Sequence, residues 1–244
     1  METRTFVIDQ GNTTTKVGIF SGNKIIENRR VARGGEEELI QSINQLGCRG
    51  GIVSSVREDN GQKLLDGLNA STLQMRRDLF MPFAIAYDTP ETLGVDRLAN
   101  VAGALQLCDT EDILIIDCGS CITTTTISNR TLIGGSISPG LNMRFAALDQ
   151  FTGQLPLVAP SAEEIVPIGK TTVQSIQSGV QLGILAEIKE IIARHCSLNE
   201  RLSVIITGGD ASYFVPWLKS PIFAEPFLTL MGLHEIYLFQ LNNS

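Results

Sequence analysis

The 244-residue chain has no G-x-x-x-x-G-K-[ST] segment, which excludes a P-loop enzyme. It has only two histidines, His195 and His234, and neither lies in a triad-like order with a serine or cysteine. No apolar run approaches the roughly 20 residues of a membrane span, and the start METRTFVID lacks a secretory apolar region. No membrane partner is therefore expected, and a cytoplasmic location is. Positive charge is scarce: 19 Lys and Arg stand against 26 Asp and Glu, a formal net charge of −7, so no broad surface for nucleic acid is expected. Five cysteines, an odd number without framework spacing, suit a reducing compartment. Cys118 and Cys121 form a C-x-x-C, but a metal or redox reading needs a second ligand pair or a thioredoxin-like setting, and neither appears.

What the chain does have is Asp9-Gln10-Gly11-Asn12-Thr13-Thr14-Thr15-Lys16, set between the apolar runs Phe6–Ile8 and Val17–Phe20. That pattern predicts two strands joined by a tight turn. Gly11 and Asn12 tolerate positive φ, so consecutive N–H groups are expected to converge. The threonine hydroxyls add donors, Lys16 adds a positive charge, and Asp9 can hold a metal ion. The loop suits a polyphosphate, and an ordinary hairpin turn is the alternative. A second copy changes the balance. Ile115-Ile116-Asp117-Cys118-Gly119-Ser120 repeats Val7–Asn12 at a shift of 108 (117 − 9), and at the same shift Thr15 falls on Thr123 and Ile19 on Ile127. A repeat at this distance is a domain-sized duplication. Two Asp-x-Gly hairpins are expected to hold one nucleotide.

Along the chain, strands are expected at 24–31 and 51–56 and helices at 36–46 and 60–68, so the first half reads βββαβα with a helix at 98–107. The polar cluster Asp109-Thr110-Glu111 marks the boundary, giving domains 1–110 and 111–244. The second half restarts with strands at 113–117, 121–128 and 131–138, then a helix at 141–151 opened by Pro139-Gly140. A long loop, 152–169, is uncommon unless functional. Thr171-x-x-Gln174 reads as a capping box opening a helix to about 195. A strand at 202–207 and a final helix at 230–241 repeat the βββαβα order. The expected fold is α/β, two duplicated ribonuclease-H-like domains with mixed sheets.

Asp96-Arg97 follows Gly94-Val95 at the start of a helix. The carboxylate either favours the helix dipole or accepts a hydroxyl proton beside a guanidinium that holds a substrate carboxylate. Phosphoryl transfer asks mainly for alignment and charge neutralisation, and Asp9, Asp117, the turn amides and one further carboxylate supply that set. Gly208-Gly209 after a strand either lets a planar group approach the backbone or is a plain turn with Asp210 as N-cap. His195 is expected to partner a helix dipole, and His234 is expected at the surface.

The ordered combination of DQGNTTTK (9–16), GVDR (94–97), IIDCGSC (115–121), GGSISPGL (134–141), GKTTVQSIQSG (169–179) and TGGD (207–210) resembles the type III pantothenate kinases of the acetate and sugar kinase/Hsp70/actin superfamily, nearly end to end. The resemblance implies ATP and Mg²⁺, with Asp9 to Lys16 as the first ATP phosphate loop and Ser120 also at ATP. It implies a pantothenate pocket of Tyr87, Gly94, Val95, Asp96, Arg97 and Thr172, with Asp96 as proton acceptor. It further implies a monovalent cation, K⁺ or NH₄⁺, at Asp117, and a homodimer whose interface completes the pocket. Ser120-Cys121 departs from the family's usual Thr-Ala, and serine keeps the hydroxyl. A non-catalytic regulator and another small-molecule kinase of the superfamily are the alternatives. Retention of Asp9, Asp96 and Asp117 argues against the first; GVDR and Thr172 argue for pantothenate.

Overall fold

The computed structural model describes residues 4–59, 61–161, 166–218 and 222–243. The chain forms two compact units, Met1–Asp109 with Phe227–Ser244, and Thr110–Pro226.

In the first unit, strands β1 (Arg4–Gln10), β2 (Thr14–Ser21), β3 (Lys24–Ala32), β4 (Gly50–Ser55) and β5 (Ser71–Gln74) form a sheet ordered β3-β2-β1-β4-β5. β1 runs antiparallel to β2 and parallel to β4. Phe6, Val7 and Ile8 of β1 are fully buried, as a central strand covered on both faces requires. β3 lies at the edge and is largely exposed, its Lys24, Glu27, Arg29 and Arg30 discouraging further pairing. Helices α1 (Glu36–Gln45) and α2 (Gln62–Gly67) close one face, where Phe6, Ile8, Leu39, Ile43, Val53 and Leu64 pack together. A short strand, β6 (Ala84–Ile85), precedes α3 (Val95–Leu107).

The second unit holds β7 (Ile113–Cys118), β8 (Cys121–Ser128), β9 (Thr131–Gly134), β10 (Ile137–Pro139), α4 (Leu141–Phe151), α5 (Thr172–Leu198), β11 (Ser203–Thr207), α6 (Ala211–Phe214) and β12 (Phe223–Ala224). Its strands run β9-β8-β7-β11-β12, with β7 antiparallel to β8 and parallel to β11. In each unit, then, the first three strands form a meander, and two later strands add on in parallel at the other side of the first, β4 then β5 in one unit and β11 then β12 in the other. The same topology twice is the structural form of the sequence repeat. The shift of 108 holds along β1 and β7 but not past the turns. Asp9 pairs with Lys16, whereas Asp117 pairs with Thr123, so the second turn is one residue shorter. Ile19 therefore corresponds to Thr126, not Ile127. The strand expected at 131–138 is broken at Gly134 and Gly135 (φ 152° and 159°), and β9 and β10 each pair with β8.

Helix α7 (Leu228–Asn242) packs within the first unit, not with the residues after 110 that the sequence grouped it with. The reason is steric fit to α3. A Cβ on Gly232 would lie 1.6 Å from the Ala99 carbonyl oxygen, and one on Gly103 would lie 2.5 Å from that of Leu228, so the two backbones touch where only glycine fits. Thr229 adds a buried hydrogen bond, its Oγ1 donating to Asn100 Oδ1 at 2.8 Å. His234, expected at the surface, is 2% exposed. Its ring stacks on Phe20 at 3.9 Å and its Nε2 lies 3.0 Å from Thr5 Oγ1. Burial pushes its pKa down to about 4, so the ring is neutral.

Candidate active site

The first loop turns tightly: the Gly11 N–H donates to the Thr14 carbonyl at 3.0 Å. Neither Gly11 nor Asn12 has the positive φ expected for them. Gly11 is needed for space instead, since a Cβ there would sit 3.1 Å from the Thr14 carbonyl oxygen. Asn12, Thr13 and Thr14 are exposed at the rim, while Thr15 is buried. The loop is anchored from behind by β4 and the turn after it. Val56 N–H donates to the Gln10 carbonyl at 3.1 Å, and Ser55 Oγ donates to Gln10 Oε1 at 2.8 Å. Arg57 Nε donates to the Gly11 carbonyl at 2.9 Å, and its Nη1 to Glu36 Oε1 at 2.6 Å. Sequence reasoning missed Arg57 altogether. Nothing local marks it, because its partners are 46 and 21 residues away.

Also in the first unit, Gly94 caps α3 and places Val95, Asp96 and Arg97 in its first turn. Val95 is buried in the core. The Asp96 carboxylate accepts the Arg97 N–H at 2.9 Å and lies over Gly94, where a Cβ would come within 2.3 Å of Oδ1. Arg97 is 5% exposed, and its guanidinium carbon stands 5.7 Å from the centre of the Tyr87 ring, a cation–π contact. Four of the residues named for the acceptor pocket thus converge: Tyr87, Gly94, Asp96 and Arg97. Thr92 Oγ1, in the turn before α3, donates to the Thr89 carbonyl at 2.8 Å.

In the second unit the turn after β7 is tighter still, with the Gly119 N–H donating to the Cys121 carbonyl at 3.0 Å and Ser120 exposed. Two glycines press on it. A Cβ on Gly140 would meet the Gly119 and Ser120 carbonyl oxygens at 2.4 and 2.5 Å; one on Gly208 (φ 99°) would meet the Cys118 carbonyl oxygen at 2.4 Å and Asp117 Oδ1 at 2.5 Å. Asp210 N–H donates to the Cys118 carbonyl at 2.9 Å, and its side chain makes no capping bond to α6. Burial raises the Asp210 pKa. Gly208, not Gly209, is therefore the close-approach position against the second loop. Cys118 is buried and its thiol is pushed up to about 12 by desolvation and by the nearby Asp117, Asp210 and Glu187 charges. It does not ionise near neutrality, and all five cysteines are free thiols.

Thr172 is exposed at the first position of α5, also in the second unit. The capping box forms with a slip: Thr171 Oγ1 accepts the Gln174 N–H at 3.2 Å, but Gln174 Oε1 accepts the N–H of Lys170 at 2.9 Å. His195 sits in the last turns of α5, its Nδ1 2.8 Å from the Ile191 carbonyl and its Nε2 3.2 Å from Thr126 Oγ1. The long loop is laced to α5, where Gln177 Nε2 donates to Ala159 O, Ser178 Oγ to Pro167 O and Gln181 Nε2 to Ser161 O at 3.0–3.1 Å.

Two Asp-bearing loops on repeated sheets, and a carboxylate and a guanidinium on successive residues of a helix start, are chemically suited to phosphoryl transfer. Residues 5–194 match the family described as type III pantothenate kinase. The chain belongs to the type III pantothenate kinase family. It is 41% identical over 234 residues to the type III pantothenate kinase of Bacteroides fragilis, covering 94% of this chain and 96% of that one. It is 38% identical over 232 residues to that of Cytophaga hutchinsonii, covering 94% and 97%. Solved structures agree on the fold. A Campylobacter jejuni protein described as of the Baf family of transcriptional activators superposes with a TM-score of 0.65 at 19% identity over 97% of this chain and 99% of that one. An inorganic polyphosphate/ATP-glucomannokinase from Arthrobacter gives 0.51 at 15% identity over 97% and 99%. The fold of this family member is the duplicated ribonuclease-H-like α/β fold expected from the repeat.

Proposed function

We propose that Asp96 accepts the hydroxyl proton in the pantothenate kinase reaction that family membership assigns to this chain. The chain transfers the γ-phosphate of ATP to the hydroxyl of pantothenate, a step of coenzyme A biosynthesis. The observation that carries the site is the convergence of Tyr87, Gly94, Asp96 and Arg97 at the start of α3. Arg97 is the group for the pantothenate carboxylate, held against the Tyr87 face so that its fork is presented in one orientation. Asp9 to Lys16 and Ser120 bind the ATP phosphates through turn amides and the exposed hydroxyls of Thr13, Thr14 and Ser120. A coupled ATP-consumption assay over a panel of hydroxy acids tests this reading: turnover is expected with pantothenate, and a better acceptor of another class would overturn it. A cytoplasmic enzyme is the location we propose.

The donors around Asp117 fit a cation. A side chain at position 208 would fill the space beside its carboxylate. Thr207 pairs with Asp117 in the parallel register, and its buried Oγ1 has no hydrogen-bond partner among the described residues. A few oxygen donors together with substrate phosphates are how such ions are usually held. Asp117 would hold K⁺ or NH₄⁺, and Asp9 would serve Mg²⁺; bound there, the ions would neutralise phosphate charge. Activity is expected to need K⁺ or NH₄⁺ in addition to Mg²⁺. Full turnover in buffer with sodium or Tris as the monovalent cation would refute it.

The active species in this reading is a homodimer whose partner chain brings Thr172 to the pantothenate pocket. Thr172 is exposed, and near it in sequence Phe151, Leu157 and Ile168 are 79%, 66% and 80% exposed, apolar surface that a second copy would cover. Thr172→Val removes one hydroxyl with little change of volume. It is expected to raise KM for pantothenate about 2- to 10-fold and leave KM for ATP unchanged. Mixed dimers of Asp96→Asn and Thr172→Val chains are expected to regain one good site. A monomer with normal turnover in analytical ultracentrifugation at assay concentration would overturn the shared pocket.

A further inference from the structure

Behind the first phosphate loop lies a polar cleft of about 230 Å³ lined by Gln10, Arg33, Gly34, Glu36, Arg57, Asp59 and Lys63. It stands apart from Asp9. Successive strand residues point to opposite faces, and Phe6 and Ile8, in step with Gln10, pack on the α1–α2 face. Gln10 lines the cleft from that face, and Asp9 belongs to the other. Both acidic side chains of the cleft are occupied. Glu36 accepts from Arg57 at 2.6 Å, and Asp59 Oδ1 accepts the Gly61 N–H at 3.2 Å. Burial alone would raise the Glu36 pKa, but the Arg57 hydrogen bond and backbone donors hold it below the usual value, so the carboxylate stays charged.

The cations are less fully used. Arg57 has a side-chain exposure of 13%, yet its buried Nη2 has no hydrogen-bond partner among the described residues. A guanidinium N–H removed from water without an acceptor is costly. On the same face, by its pairing with Gln10, the wholly buried Thr15 also has an Oγ1 without a partner. Arg33 lines the opening, and Lys63 lines it too while pairing with the exposed Glu37 at 2.9 Å. What Arg57 Nη2 lacks is an oxygen acceptor.

We propose that this cleft is a binding site for a small oxyanion of the phosphate class, separate from the nucleotide site, with the Arg57 guanidinium on its wall and Arg33 and Lys63 at its mouth. The same guanidinium holds the Gly11 carbonyl, so the occupant is one residue removed from the loop that meets ATP.

The test uses the full chain saturated with a non-hydrolysable ATP analogue, so that the nucleotide loops are filled. Inorganic phosphate is titrated at constant ionic strength while the thermal midpoint and the heat of binding are followed. Saturable stabilisation with one phosphate per chain is expected. Arg33→Gln and Lys63→Gln, both at the mouth, should weaken half-saturation several-fold, and Arg57→Lys, which keeps the charge but loses the fork, by about ten-fold. Methyl phosphate in a parallel arm separates a free anion from a phosphate ester as occupant: the better binder identifies the source. A phosphate effect that does not saturate, or that is the same in all three variants, overturns the site. Displacement of phosphate in step with analogue binding also overturns it, since the anion would then sit in the nucleotide loops.

Discussion

Asp96→Asn is expected to lower turnover by about 10²- to 10⁴-fold, the usual scale for losing a general base, while the folded chain survives. The amide oxygen can still accept the Arg97 N–H that Asp96 accepts at 2.9 Å, so the first turn of α3 keeps its internal bond. It cannot take a proton. A companion variant separates charge from place. Gly94→Ala would put a Cβ 2.3 Å from Asp96 Oδ1 and so displace the carboxylate without neutralising it. If both position and basicity matter, each variant lowers kcat. If Asp96→Asn stays within a few-fold of the parent, the residue only favours the helix dipole, a contribution of about 0.3–1 kcal/mol, and the base lies elsewhere. The measurement is steady-state kinetics with both substrates varied, alongside a thermal melt to establish that the fold is intact.

The parts of the molecule that sequence made legible share one property: their information is local or repeated. Phe6–Ile8 and Ile113–Ile116 are unbroken apolar runs because both strands are buried on both faces, and the turns after them carry Asp-x-Gly. Together they announced two central hairpins, and the two sheets with the same strand order follow from that duplication. Helix starts at Thr171 and around Gly94 were readable from capping chemistry and glycine. Elements of few residues were not: β5 and β12 have four and two residues, too short for a period to show. The shortened second turn was hidden as well, since one deleted residue leaves the Thr-rich run 123–126 looking unchanged. Long-range partners were beyond reach for a different reason. Arg57 reads as an ordinary polar residue after a strand, and only the fold brings it to Gly11 and Glu36. His234 reads as a surface histidine until α7 lies on β1 and β2, where its flat ring and one polar edge fit Phe20 and Thr5.

The largest effect on stability is expected from Gly232→Ala. α7 is apolar almost all round, so periodicity alone does not say which face it buries or against what. The contact with α3 says it. Gly103 and Gly232 let the two backbones meet, and an alanine at 232 would place its Cβ 1.6 Å from the Ala99 carbonyl and 2.8 Å from the Gly103 nitrogen. Both neighbours are backbone atoms within α3, so no rotamer change relieves the overlap and the helices must separate. Overpacking typically costs about 1–3 kcal/mol and occasionally more. An overlap with backbone on both sides is expected at the upper end, a large share of the roughly 5–15 kcal/mol that holds a typical domain folded. Separation would also loosen the Thr229–Asn100 hydrogen bond and the packing behind Asp96, which is carried on the same helix. The expected result is a urea midpoint lowered with little change of slope, and a fall in kcat greater than in the nucleotide affinity. Gly153→Ala is the control. A Cβ there meets nothing within 4 Å, and stability should change by no more than about 0.5 kcal/mol. A Gly232→Ala midpoint equal to that of the control would mean that α3 and α7 have slack between them, and that α7 is held to the first unit by burial of its side chains alone.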